Sequence, residues 1–243
     1  MTGGGRLFGI GVGPGDPELL TLKAARLLRA APVVAHFAKS GADSQARRIA
    51  GSHIAPGAEE LRFAFPYTTE IPRGSLAYRE AMAAFYDEAA ANIAAMLDGG
   101  RDVALLCEGD PLFYGSFMYV NDRLAGRYAI EIVPGVTAMA GCWGRVGAPM
   151  TRGEDSLAVL AGTAEEEALA QGLRAADAAV VMKAGRNLSK IRRALERAGL
   201  LDRAILVERG TMPGERIVAL ADAPAAEAAY FSLVLVPTAR AGT

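Results

Sequence analysis

Cysteine and histidine are nearly absent from this 243-residue chain, which has only Cys107, Cys142, His36 and His53. Two cysteines cannot build a disulfide framework, and so sparing a use fits a reducing cytoplasm. Two cysteines and two histidines far apart in sequence argue against a four-ligand zinc site. No apolar run reaches the ~18 residues that a membrane span requires. Residues 1–5 have neither a basic segment nor an apolar core, so no secretory signal is expected. An excess of one charge is missing too. Lys and Arg number 26 against 27 Asp and Glu, a net charge of −1. General nucleic-acid binders carry a basic excess, and that class is disfavoured.

What is present suits a globular protein, with 51% hydrophobic and 22% charged residues. Glycine (28) and proline (12) stay well below the ~25–30% of a low-complexity chain. Surface scaling gives about 10,000 Å² folded against about 37,000 Å² extended, so a substantial core is possible. The length allows one large domain or two of about 120 residues.

Strand and helix signals alternate along the first half. Residues 6–12 read as a buried strand running into glycines, and 21–29 as an amphipathic helix. A strand at 32–37, a polar helix at 42–52 and a strand at 61–65 follow, then a long alanine-rich helix at 75–97. Asp102–Cys107 is nearly all apolar, the pattern of a central strand covered on both faces. A short helix is expected at 115–124. Alternation with short loops predicts an α/β fold with a largely parallel sheet. Gly126–Tyr128 is the expected boundary, giving domains 1–125 and 126–243. The second half predicts strands at 130–133, 156–161, 178–182, 204–208, 215–220 and 231–236, the last two as a possible antiparallel pair. Helices fit 137–145, 165–174 and 188–198.

Three post-strand loops carry the chemistry, since open α/β sheets bind ligands beyond the carboxyl ends of their strands. The first is Gly-Ile-Gly-Val-Gly-Pro-Gly-Asp-Pro-Glu-Leu-Leu-Thr, residues 9–21. It is a poor dinucleotide fingerprint: Asp16 stands where G-x-G-x-x-G needs glycine, and the second strand lacks a ribose-binding acid. A tight turn capped by Asp16 is the plain alternative. The second loop, Cys-Glu-Gly-Asp-Pro-Leu-Phe-Tyr-Gly at 107–115, places Glu108, Asp110 and aromatics at the end of a buried strand. Its plain alternative has Asp110 as a cap and Phe113 in the core. The third, Val133-Pro-Gly-Val-Thr-Ala-Met139, puts Thr137 and Ala138 where a helix start exposes free N–H groups.

In order and spacing these loops resemble those of the tetrapyrrole methylase family, whose members transfer methyl groups from S-adenosylmethionine. The resemblance covers essentially the whole chain, including Val180–Ala184 and Glu208–Thr211. Within the family the chain is most similar to members acting on C20 of precorrin-2, through Ala35–Lys39, Phe65–Glu70 and the Leu-Phe-Tyr-Gly ending of the second loop. It implies two α/β domains with the active site in the cleft between them, a cytoplasmic homodimer, and S-adenosylmethionine as methyl donor. Carried over by position, Pro14, Glu108, Gly109, Asp110, Phe113, Thr137 and Ala138 would hold the donor, Asp110 through its carboxylate. Met182, Gly210 and Pro237 would line its adenine. Glu108 departs from the glycine frequent in relatives. His36, Tyr67, Thr68, Thr69, Tyr114 and Arg152 are implied substrate contacts.

Plainer readings stand beside these. Cys107 suits a core thiol, His36 a partly buried histidine and His53 the surface. Arg47–Arg48 and Arg192–Arg193 suit solvated helix faces. With Arg73 and Arg152 they could instead meet the carboxylates of precorrin-2. The rival activities are methylation of cobalt-precorrin-2, methylation of ribosomal RNA, and dinucleotide binding without catalysis. No residue stands out as the base for the C20 proton, and no metal is expected.

Overall fold

A computed structural model describes residues 4–67, 71, 75–224 and 227–239. The expected contacts Thr68 and Thr69, and Arg73, lie outside the described residues. The chain divides into two compact units, Met1–Thr137 and Ala138–Thr243.

The first unit is one parallel sheet with helices on both faces. Its strands are β1 (Arg6–Gly11), β2 (Val33–Lys39), β3 (Glu59–Phe65), β4 (Val103–Cys107) and β5 (Ala129–Val133). They are ordered β3-β2-β4-β1-β5, every pair parallel. The helices are α1 (Leu22–Ala30), α2 (Gln45–Ala50), α3 (Leu76–Asp98) and α4 (Phe117–Leu124). α1 starts where Thr21 Oγ1 accepts from Ala24 N at 3.1 Å, a hydroxyl cap. α3 buries Tyr86, Ala89, Ala90, Ile93, Ala94 and Leu97, recurring every three or four residues.

Alternation along the strands creates two cores. Phe8, Ile10, Val34, Ala104 and Leu106 pack with α1 and α2. Leu7, Val33, Ala35, Val103, Leu105 and Cys107 pack with α3 and α4. The apolar reading of β4 follows from this, since all five of its residues are buried.

Placing the boundary at 125/126 does not match this division. β5 pairs with β1 from Arg6↔Ala129 to Ile10↔Val133, so it completes the first sheet, and the division falls after Thr137.

The second unit comprises α5 (Ala138–Val146), β6 (Leu157–Ala161), α6 (Glu166–Arg174), β7 (Ala178–Met182), α7 (Leu188–Ala198), β8 (Ile205–Glu208), β9 (Arg216–Ala219) and β10 (Ser232–Val236). The order is β6-β7-β10-β8-β9. Among the described residues only β6 and β7 pair in parallel. The last two strands do not pair with each other, because β8 lies between them and is antiparallel to both.

Phe117 is the keystone of the α3/α4 face. It is fully buried, and a Cβ on Gly9 would sit 2.5 Å from its ring. Phe117→Ala should lower unfolding free energy by about 3–5 kcal/mol, measured by urea denaturation.

Candidate functional site

β1 and β4 are neighbours, yet the chain leaves them toward opposite faces. After β1 it enters α1 on one face, and after β4 it enters α4 on the other. Such a divergence opens a crevice beyond the carboxyl ends of the two strands, the usual ligand position in an open parallel sheet.

Bare backbone brings the three loops together there. Gly13 and Gly109 form a two-way bridge, with Gly109 N to Gly13 O at 2.8 Å and the return bond at 3.3 Å. A Cβ on Gly135 would lie 2.1 Å from Gly109 O and 2.9 Å from Gly11 Cα, so only glycine allows this approach. Asp110 ties the arrangement. Its Oδ1 accepts from Leu112 N at 2.9 Å and its Oδ2 from Gly135 N at 3.1 Å. Its carboxylate, expected on the donor, thus joins the second loop to the third. Asp16 accepts from Glu18 N and caps a single turn at Pro17–Leu19. α1 begins only at Leu22, so no helix start follows the glycines as a pyrophosphate site requires.

Pro14 and Gly109 are buried in this crest, while Phe113 and Thr137 are half-buried. Tyr114 is exposed, holds a φ of 57° and meets the Phe113 ring edge-on at 5.0 Å. Positive φ is uncommon outside glycine and marks a position worth functional attention.

Glu108 follows β4 on the α1/α2 side. It is solvent-exposed, and its Oε1 accepts from Ala46 N at 3.1 Å, capping α2 from 62 residues away. Protein atoms crowded around the strand end raise its carboxyl pKa above the ordinary value even though solvent reaches the side chain, while its own amide and that of Ala46 favour the charged form.

His36 lies beneath the same helix, 4% exposed. Its Nε2 is 3.4 Å from Glu60, which also takes both arms of Arg47, at 2.8 and 2.7 Å. Burial lowers the His36 pKa more than Glu60 raises it. The ring is almost fully buried, more than the partly buried histidine expected, and its Nδ1 has no hydrogen-bond partner among the described residues, while Arg47 is committed to Glu60. Tyr67 is half-buried just after β3.

In the second unit, Met182 and Gly210 share the rim where β7 and β8 end. A Cβ on Gly210 would meet Cys142 Sγ of α5 at 2.4 Å, so the turn after β8 is pressed onto the helix that Ala138 begins. Lys183, Arg209 and Thr211 hold φ of 59°, 50° and 64° on this rim. Such conformations cost of order 1–3 kcal/mol each.

Pro237 does not join them. β10 runs antiparallel to β7 with Val236 opposite Ala179, which carries Pro237 to the opposite rim. There Arg203 donates to Pro237 O at 2.6 Å. Arg152 is on that side also, beside a cavity of about 500 Å³ lined with Asp155, Arg203 and Thr238. Arg192 donates to the carbonyls of Leu220 and Ala223, and Arg193 to Glu166.

The chemistry of the crest suits one kind of ligand. Residues 12–21, 107–116 and 133–137 contain Asp16, Glu18, Glu108 and Asp110 and no lysine or arginine. Acids without bases repel phosphate and favour a cation such as a sulfonium or ammonium. S-adenosylmethionine carries both, so the residues fit it.

Residues 6–224 match the family described as Tetrapyrrole (Corrin/Porphyrin) Methylases. The chain belongs to the tetrapyrrole methylase family. This tetrapyrrole methylase is 51% identical to a precorrin-2 C(20)-methyltransferase from Sinorhizobium sp, over 97% of the chain and 96% of that protein. It is 32% identical to a cobalt-precorrin-2 C(20)-methyltransferase from Salmonella typhimurium, covering 87% of the chain and 86% of the relative. Among solved structures it is similar to a uroporphyrin-III C-methyl transferase from Thermus thermophilus complexed with S-adenyl homocysteine. The TM-score is 0.66 and the identity 28%, over 96% of this chain and 92% of that one.

Sequence reasoning missed Gly135 and Glu60. The Pro-Gly dipeptide was the available signal for the first. The second lies one residue ahead of the strand expected at 61–65, on the polar side of its alternation.

Two outcomes follow from this geometry. Asp110→Asn sets an amide N–H₂ against a backbone N–H and should cost about 1–3 kcal/mol, read as a lower denaturation midpoint. His36 is held neutral, so its contribution is complete above the ordinary value of 6.5 and is lost as pH falls through the lower folded value. His36→Leu should therefore flatten the fall in thermal midpoint between pH 7.5 and 5 relative to wild type.

Proposed function

We propose that this protein methylates C20 of precorrin-2 with S-adenosylmethionine, giving precorrin-3A in corrin-ring synthesis. The observation that carries this is 51% identity, across almost the full length of both chains, to an enzyme of that name. The acid-bearing, base-free crest supports a sulfonium donor. S-adenosylmethionine supplies an electrophilic methyl group and leaves as S-adenosylhomocysteine.

The chain's own contribution is alignment and exclusion of water, because a meso carbon of a reduced tetrapyrrole is already a good nucleophile. In this reading Pro14, Glu108, Gly109, Asp110, Phe113 and Thr137 surround the donor, with the main chain of the three loops making most contacts. Ala138, Met182 and Gly210 belong to the donor site by the same reading. Pro237 stands apart from Met182 and Gly210, on the opposite rim of the second sheet. Tyr67 and Tyr114 remain the proposed substrate contacts within the described residues. A cytoplasmic homodimer completes the proposal, and equilibrium sedimentation tests its oligomeric state.

Cobalt-precorrin-2 is the competing substrate. Purified protein, methyl-labelled S-adenosylmethionine and metal-free precorrin-2 should yield one added methyl, located on C20 by carbon NMR. Turnover of the cobalt-loaded tetrapyrrole alone would overturn the choice of substrate. Label on another carbon would overturn the regiochemistry.

A further inference from the structure

Methylation of a meso carbon leaves one proton to remove. Accepting the proposed reaction, we infer that Glu108 is the base that takes the C20 proton.

Besides Glu18, which stands exposed on the single turn leading from β1 toward α1, the crest holds few groups able to do so. Asp110 has both oxygens engaged by the amides of Leu112 and Gly135. Asp16 is turned into its own loop, on Glu18 N. Cys107 is buried against the α3/α4 core, and burial pushes its thiol far above the ordinary range. His36 is buried and faces Glu60.

Glu108 differs in three respects. It stands at the end of β4, the strand whose neighbour β1 sends its chain to the other face, so it borders the crevice. Its Oε1 is held by Ala46 N, which orients the carboxylate. It is also open to solvent, and no side chain among the described residues bonds it. A carboxylate oriented by one amide with access on its other side has the geometry of a general base.

The surrounding charges leave it in a useful state. On α2 Arg47 is turned to Glu60, on β2 His36 faces the same Glu60, and Asp110 and Asp16 are engaged as described. Protein packed around the strand end raises the Glu108 pKa above the ordinary carboxylate value although solvent still reaches the side chain, and a stronger base accepts a proton more readily.

The C20 electron pair forms the bond to the methyl carbon, and the carbon–sulfur bond breaks with its pair staying on sulfur. C20 then carries both methyl and hydrogen beside a cationic conjugated system. The C20–H bond breaks, its pair restores the double bond, and the proton passes to a Glu108 oxygen and then to water.

Glu108→Gln keeps an acceptor for Ala46 N and removes the base. With S-adenosylmethionine raised to saturate the variant, turnover should still fall about 10²–10⁴-fold. The acidic limb of the kcat profile should vanish, and deuterium at C20 should slow the variant. Glu108→Asp should recover part of the rate.

Turnover within threefold of wild type with the acidic limb intact would overturn the assignment. So would a rate loss that saturating S-adenosylmethionine restores, which would confine Glu108 to holding the donor. If wild type methylates only the cobalt-loaded tetrapyrrole, the substrate reading falls, and the same comparison on that substrate decides Glu108.

Discussion

The site depends on how closely main chain can approach main chain at the end of the first sheet. Gly11, Gly109 and Gly135 lie so near one another that a single methyl group on Gly135 would overlap the Gly109 carbonyl. From that contact the rest follows. Gly109 can bridge to Gly13, Asp110 comes within reach of the Gly135 amide, and Glu108 is left at the strand end facing α2. Main-chain contacts also explain why a loop poor in large side chains can be a precise binding surface: its shape is set by hydrogen bonds rather than by rotamers.

Charge is organised around the same point. Away from the crest, arginines are mostly matched with acids: Arg6 with Glu131, Arg101 with Glu59, Arg123 with Asp87, Arg145 with Glu215. These pairs are partly exposed and contribute little individually. Their collective effect is to keep basic side chains occupied elsewhere, while the three loops present acids and amides alone. A balanced total charge thus coexists with a locally one-sided surface.

Local features were legible in the sequence and long-range ones were not. The apolar run of β4, the face of α3 and the three turn-bearing loops are written in adjacent residues, and each forms where its pattern puts it. The order of strands is not written there. Nothing near Gly126 shows that β5 will extend the first sheet, because that pairing is made with β1, more than a hundred residues earlier. The direction of β10 is equally silent in its composition, so Pro237 could be grouped with Met182 by motif although the antiparallel register separates them. Asp110 was recognised as important for its place in a motif, but its partner Gly135 is 25 residues away and only the fold introduces them. His36 likewise meets Glu60 only through the pairing of β2 with β3.

An acid-bearing crest treats the two sides of a methyl transfer unequally. A sulfonium donor arrives carrying a positive charge at the atom that reacts, and it departs as a thioether with none. The same carboxylates that draw the charged form inward have no such hold on the neutral one, so the ligand weakens its own attachment by reacting. The electrostatics of the loops thus favour entry of the charged donor over retention of its by-product.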